Sequence, residues 1–232
     1  MDQAVLVQGK PTLELENDLA NLRWLNKTFG AVSLLLRFLR KWESNRYPDS
    51  PPLRILDLAT GEADLPREVV AWCRNRHIQV TIDAVDTNAA TLAVAKERSR
   101  DFPEITFHQG DIRSWWTGTW DIVLCSLALH HFSQEDAVVV LRNAFNRSAS
   151  RLLVADLERN KMGVIAIWLL TALLLRDPMT VHDARLSIRR AFSFRELGEL
   201  AMEAGWQDFH QARFPISRQA IWMEKSSLAA PS

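Results

Sequence analysis

Apolar positions along this chain follow two different periods. From Leu13 to Trp42 they recur every three or four residues: Leu15, Leu19, Leu22, Leu25 and Phe29, then Leu34, Leu35, Phe38 and Leu39. That spacing predicts two helices, with a break across Asn26–Gly30. From Leu53 the pattern changes to short apolar runs bounded by polar turns. Leu53–Leu56, Val80–Val85, Ile105–His108, Trp120–Cys125 and Arg151–Asp156 predict buried strands. Helical stretches lie between them, at Asp64–Arg76, Asn88–Arg100 and Ser133–Phe145. Asp64 reads as the cap of the first, with Pro66 in its opening turn, and Ser133 as the cap of the third. A further helix, Ser193–Ala204, opens with Ser193 and Glu196 at capping-box spacing and ends at Gly205. Trp206–Phe214 and Gln219–Glu224 predict a closing antiparallel strand pair. Strand and helix alternating at this spacing predict an α/β chain with a mostly parallel open sheet and helices on both faces.

Two stretches depart from the alternation. Met162–Leu175 is uncharged throughout, between Lys161 and Arg176. It is shorter than the ~20 apolar residues that a bilayer span needs. It reads as a buried helix, as a lid over an oily pocket, or as a helix lying on a membrane surface. The lack of a polar face favours the first two. Asp177–Phe192 is polar again, with His182 and Asp183 followed by Arg185, Arg189 and Arg190. Its bland reading is a helix cap at Asp183 with solvated arginines. Ser44–Pro52 reads as a linker, residues 1–12 as a loose lead-in, and those after Lys225 as a frayed tail. The expected division is a helical cap over residues 1–50 and one main domain over 51–232, with an insertion helix at about 161–190.

Composition narrows the function. Lys and Arg total 28 and so do Asp and Glu, which argues against a strongly electrostatic nucleic-acid binder. Cys73 and Cys125 lie inside apolar segments and read as reduced core residues, not as a disulfide or metal ligands. The opening MDQAVLVQGK lacks the basic-then-apolar order of a secretory signal. A cytoplasmic protein is expected, with a peripheral membrane contact left open.

The candidate chemistry centres on Leu53–Pro66, LRILDLATGEADLP. A strand runs into Asp57, then into a turn of small residues, Ala59-Thr60-Gly61 with Ala63 beyond, and then into a helix. This shape lets backbone approach a nucleotide-like ligand closely. A carboxylate at the strand end suits a cationic or hydrogen-bond-donating ligand better than a pyrophosphate. The stretch resembles the first motif of class I S-adenosylmethionine-dependent methyltransferases, Asp-x-Gly-x-Gly-x-Gly. Gly61 matches the middle glycine, and Ala59 and Ala63 replace the outer two. Alanine allows close approach at negative φ but no relaxed left-handed conformation.

Three later segments extend the resemblance in order. Asp86 ends the second strand, about 25 positions after Gly61, close to the spacing at which an acid reaches a ribose; Thr87 follows it. Gly110-Asp111-Ile112 matches the segment whose acid meets the adenine amine and whose apolar residue packs on the ring. Trp120–Cys125, then Ser126-Leu127-Ala128-Leu129-His130-His131-Phe132, resembles the fourth motif of the ubiquinone- and menaquinone-biosynthesis type. The resemblance covers about Leu53–Glu224 and implies a Rossmann-like methyltransferase domain binding S-adenosylmethionine. The implied cofactor residues are Asp57, Ala59, Thr60, Gly61, Asp86, Thr87, Asp111, Ile112, Cys125 and Ser126.

The same resemblance implies an acceptor region beside the cap and the insertion, with Asn26, Phe29, Trp168 and Arg189 as candidate contacts. His182 is the first candidate base, because its segment resembles one in polyketide and phenolic-lipid methyltransferases. His130 and His131 are the alternatives. A structural histidine is the bland reading of each, with one of the pair pointing inward and the other outward. Adjacent histidines without a completing Cys or acid do not form a metal-ligand set, so no metal is expected. The expected reaction is methyl transfer to a lipophilic small molecule. O-methylation of a phenolic or polyketide acceptor comes first, and C-methylation of a quinol-like ring is the rival. A nicotinamide-dependent reductase would need a glycine-rich pyrophosphate turn in place of Asp57 and a single glycine. A non-catalytic cofactor-binding or membrane-associated protein stays open, as does the oligomeric state.

Overall fold

The computed structural model describes residues 6–7, 10–43, 50–115, 118–160, 163–165, 168 and 178–225. A two-residue pair, β1 (Leu6–Val7) and β2 (Lys10–Pro11), precedes α1 (Leu13–Thr28). The Thr12 side chain caps α1 by accepting the Leu15 N–H. The expected break falls at Phe29 and Gly30, where φ is 86° at Gly30, a conformation that glycine adopts without steric cost. α2 (Ala31–Trp42) then buries Leu34, Leu35, Phe38, Leu39 and Trp42 on one face.

The main body alternates as the apolar runs predict. It comprises β3 (Leu53–Leu58), α3 (Asp64–Arg74), β4 (Val80–Asp86), α4 (Ala89–Arg98), β5 (Ile105–Gln109), β6 (Trp120–Ser126), α5 (Gln134–Arg147) and β7 (Ser148–Leu157). Then come α6 (Pro178–Arg190), α7 (Phe194–Glu203), β8 (His210–Phe214) and β9 (Arg218–Glu224). The strands form one seven-stranded sheet in the order β5-β4-β3-β6-β7-β9-β8. All pairs from β5 to β7 are parallel, and β9 runs antiparallel to both of its neighbours. The chain winds outward from β3 to β5 and then from β6 to β7, so the order reverses between β3 and β6. Crevices for ligands open at the carboxyl ends of strands at such a reversal.

Two buried clusters cover the sheet. One joins β3, β6 and β7 to α5 and α7 through Leu56, Val123, Leu141, Leu152 and Leu197. The other joins Ile55, Ile82 and Ile122 to α3 and to the apolar face of α2. The second helix of the cap therefore shares a core with the sheet, while Leu15 and Leu19 of α1 pack on Ala90 and Val94 of α4.

Several expectations need correction. Asp64 is the first helical residue of α3, not its cap. The capping position is Ala63, which has no side chain able to accept a bond. The last strand pair begins at His210, not Trp206, because the Trp206 ring is buried and its Nε1–H donates to the Leu141 carbonyl at 3.0 Å. The polar segment lies within the expected insertion helix and is helical from Pro178, which opens α6, with Thr180 and Ile188 buried on one side. Asp183 thus lies inside that helix and not at its start. Most of Met162–Leu175, with the linker at 44–49, Trp116 and the tail after Lys225, falls outside the described residues. Among the described residues, no helix is long and apolar enough to cross a membrane.

Candidate active site

The turn between β3 and α3 is built from left-handed residues. φ is 55° at Ala59, 59° at Gly61 and 59° at Ala63. Both alanines therefore hold the backbone conformation that costs an L-residue roughly 1–2 kcal/mol. The turn is pinned from outside: Thr60 N–H donates to the Val85 carbonyl at 2.9 Å and Gly61 N–H to Asp86 Oδ2 at 2.9 Å. The other Asp86 oxygen accepts the Asn88 N–H at 2.9 Å. Asp86 thus ties the first turn to the start of α4, with half its lone pairs still open. Thr87 is exposed beside it.

Asp57 is buried beneath this turn. Burial, reinforced by the neighbouring Asp64 and Asp86 carboxylates, pushes its carboxyl up to about 7. Asp111 has the opposite fate. Arg113 grips both of its oxygens, at 2.6 Å for the Nη2 contact, and holds it below the ordinary carboxylate range. Ile112 is buried in the core beside Leu56 and Val85 rather than open to a ligand. Trp115 lies over Gly110, where an added Cβ would come 2.4 Å from the ring. Cys125 is buried, and burial with the Asp156 and Asp57 carboxylates raises its thiol well above the usual range. Ser126 is half-buried at the end of β6.

The next turn carries the paired histidines. His130 is buried and His131 exposed, with ring centroids 4.2 Å apart. His130 Nδ1 lies 2.6 Å from Asp156 Oδ1, and the His130 N–H donates to Asp156 Oδ2 at 3.0 Å. Burial opposes the charge on Asp156, but the His130 ring and the His130 and Leu157 N–H groups outweigh it and hold the carboxyl low. Asp156 ends β7 two strands from Asp57. Sequence reasoning found its strand but missed its role, although it ends its strand as Asp57 and Asp86 end theirs.

The remaining candidates are dispersed. His182 is exposed on α6, two residues beyond Thr180. Thr180 donates to buried Asp18 of α1 at 2.8 Å and accepts from Asn21, so α1 and α6 are clasped together. Asn26 donates to Asp64 at 3.0 Å, joining the cap to the first turn of α3. Phe29 sits edge-on to Trp24, and its carbonyl accepts from the buried Arg218 at 2.7 Å. Trp168 and Arg189 meet each other through a cation–π contact at 5.6 Å. A second missed group surrounds Glu62, whose buried carboxylate pairs with Arg23 at 3.1 Å, with Arg98, and more distantly with Arg67. Its partners come from three helices, so no local pattern announces it. Among the described residues, no cluster of three or more His, Cys, Asp or Glu is arranged to hold a metal ion.

A strand-end carboxyl, a left-handed turn and an acid on the next strand now stand together at the reversal of strand order. Residues 55–149 match a family described as a methyltransferase domain. The chain has the class I methyltransferase fold. It resembles the S-adenosylmethionine-dependent enzymes of the small-molecule type. A Nostoc punctiforme protein described as an O-methyltransferase is 20% identical over 76% of this chain and 53% of its own, at a TM-score of 0.55. Human N-acetylserotonin methyltransferase, solved with S-adenosylmethionine, is 16% identical over 91% and 55%, at a TM-score of 0.62. Magnesium protoporphyrin IX methyltransferase of Synechocystis PCC 6803, solved with S-adenosylhomocysteine, is 14% identical over 97% and 90%, at 0.58. At these identities the likeness is one of methyltransferase fold. The chain spans about half the length of the Nostoc protein and of the citrinin polyketide synthase methyltransferase domain, 53% and 51%. No curated protein matches it.

Proposed function

We propose that the chain transfers a methyl group from S-adenosylmethionine to a hydroxyl of a lipophilic small molecule, phenolic or polyketide-derived, in the cytoplasm. The observation that carries this reading is Asp57. A buried carboxyl raised to about 7, with no cation beside it among the described residues, is a site made for a positive or proton-donating ligand. The cofactor supplies an activated methyl on a sulfonium and carries an ammonium as well. Asp57 would hold its charged end, the Ala59-Thr60-Gly61 backbone would approach it, and Asp86 would accept ribose hydroxyls with its open lone pairs. Asp111 would share itself between Arg113 and the adenine amine. Thr87 and Ser126 would border the site from the ends of β4 and β6, with Ile112 and Cys125 in the core behind them.

Beyond that, this chain's residues have two tasks: alignment, and removal of a proton. A phenol with a pKa near ~10 benefits from a base at neutral pH. His130 is the stronger candidate, since Asp156 fixes its ring at 2.6 Å and leaves the other nitrogen to work. His182, exposed on α6, and His131 rank below it. Asn26, Phe29, Trp168 and Arg189 would border the acceptor, with residues 1–50 acting as a cap on the domain formed by 51–232. The uncharged run Met162–Leu175 supports a lipophilic acceptor. C-methylation of a quinol-like ring is the second reading, favoured by the Ala-Leu-His-His-Phe segment.

Calorimetric titration with S-adenosylmethionine, S-adenosylhomocysteine and NADH tests the proposal. Micromolar binding of the first two without the third is the expected result. Binding of none would remove the cofactor reading. Binding without turnover on any phenol or quinol would leave a non-catalytic binder.

A further inference from the structure

We infer that Arg218 binds a carboxylate of the acceptor, which makes the substrate class a lipophilic phenolic acid. Arginines at the carboxyl end of β7 and on the following hairpin are paired in an unexpected way. Arg159 and Arg213 are exposed, and each grips a glutamate: Glu196 at 2.6 Å and Glu158 at 2.9 Å. Arg218 is the buried one, only 6% exposed, and among the described residues no carboxylate pairs with it. Its Nε–H donates to the Phe29 carbonyl at 2.7 Å. The four N–H groups on Nη1 and Nη2 meet no acceptor among the described residues. Neither nitrogen is wholly sealed from the surface, so the fork is open to a ligand. Burial without a partner pushes the guanidinium down to about 10, with the negative charge of Asp156 opposing. Buried charges are as a rule paired, because they give up the solvation of water. Here nothing in the fold returns it, and a buried group left incomplete beside a candidate base reads as a binding group.

The donors that remain select the ligand. With Nε committed to Phe29, Nη1 and Nη2 form a flat two-pronged fork, the shape that meets both oxygens of a carboxylate. One positive charge matches one carboxylate. A phosphate monoester would bring nearly two negative charges beside Asp156, with a single guanidinium to receive them. A neutral phenol would leave the guanidinium as unpaired as before. Register places the fork at the site. Arg218 opens β9 opposite Leu157, and Gln219 stands opposite Asp156. Side chains alternate along a strand. Gln219 donates to the Phe192 carbonyl on the face where Asp156 holds His130 at 2.6 Å. Arg218 shares the other face with Ala220, which belongs to the cluster under α2. The guanidinium and the imidazole therefore flank the carboxyl edge of β7 from opposite faces. An acceptor that meets both lies across that edge, with its acid and its reacting hydroxyl at different ends. Phe29, already a candidate acceptor contact, orients the fork through its carbonyl. That the bound acid is the methyl acceptor rests on the methyl-transfer reading; the carboxylate subsite does not.

The probes are 3-(4-hydroxyphenyl)propanoate and 3-(4-hydroxyphenyl)propanamide, which share a shape and differ in charge. Each is titrated calorimetrically into the full chain in cofactor-free buffer. The acid should bind about ten- to a hundredfold more tightly than the amide. Arg218→Met keeps the length of the side chain and removes its charge. It should erase that preference, with an unchanged or higher melting temperature, since an apolar side chain replaces a buried unpaired charge. Arg218→Lys keeps the charge without the fork and should retain part of the preference. The comparison of acid with amide on the unaltered chain needs no variant to fold. Equal binding of the two probes, binding of neither, or an acid preference that survives in Arg218→Met would overturn the proposal. Titration with S-adenosylmethionine keeps the two readings apart, because the acid preference and cofactor binding can each fail alone.

Discussion

Asp57 and Asp156 lie on β3 and β7, on either side of β6, and both are almost wholly buried. Their charges differ in opposite directions. Asp57 is pushed up to about 7, whereas Asp156 is held below the ordinary range. Both are desolvated, so desolvation cannot be the difference. Asp156 has His130 at 2.6 Å and two backbone N–H donors, while Asp57 has the Thr60 side chain in its favour and two more carboxylates against it. One carboxyl is complete within the fold. The other is left incomplete at the place where the proposed cofactor would bring positive charge.

The largest effect that tests this contrast is at Asp156. Asp156→Ala should cost about 3–5 kcal/mol, since it leaves a buried partner uncompensated, and the urea midpoint would report it. Asp156→Asn should recover part of the loss by keeping a hydrogen-bond acceptor. A small loss in the alanine variant would mean that His130 finds another partner.

Next comes the pH dependence set by Asp57. Its folded pKa is raised above the unfolded value of 3.8, so the folded state binds the proton more tightly. Its contribution to stability is therefore fully present below pH ~4 and is lost as pH rises to about 7, by on the order of 4 kcal/mol. Asp57→Asn should flatten that part of the stability–pH curve. An unchanged curve would refute the shifted carboxyl.

The strained turn above Asp57 gives a smaller effect. Ala59→Gly should stabilise by about 0.5–1 kcal/mol, the left-handed penalty less the extra freedom of the unfolded chain. Ala63→Gly should gain less, because it also removes a fully buried methyl. Thermal melts would rank the two. Smallest is a proton count. If a cation settles beside Asp57, cofactor binding at pH 7 should release about half a proton, read from calorimetry in buffers of different ionisation enthalpy.

What was legible in the sequence follows from how local each signal is. β3 to β7 and their helices were readable because each is an apolar run or face with its own cap or turn, as at Ser193–Glu196. Asp57, Gly61 and Asp86 were readable as well, since strand ends and turns are local. α6 was readable only as part of a longer insertion helix, and its start at Pro178 was not, because its exposed face is crowded with charge and Thr180 and Ile188 mark the buried side. The pairing of His130 with Asp156, 26 residues away, was not readable either, nor was the gathering of Arg23, Arg67 and Arg98 around Glu62. Such contacts exist only after strands and helices have been set side by side. The left-handed alanines show the converse. Local preference opposes that geometry, and the hydrogen bonds from β4 impose it.

Arg218 has a consequence for the order in which the molecule comes together. Its buried guanidinium reaches back to the Phe29 carbonyl, and Phe38 of α2 packs on Trp222 and Phe214. The junction of α1 and α2 is thus tied to a hairpin 189 residues further along the chain, whereas α1 packs on α4 and α2 on α3 much nearer in sequence. A chain stalled before Arg218 could assemble the parallel strands and seat most of α2 but would leave Phe38 without Trp222. Formation of the β8–β9 hairpin is then the step that covers Phe38 and seals the far end of the α2 face.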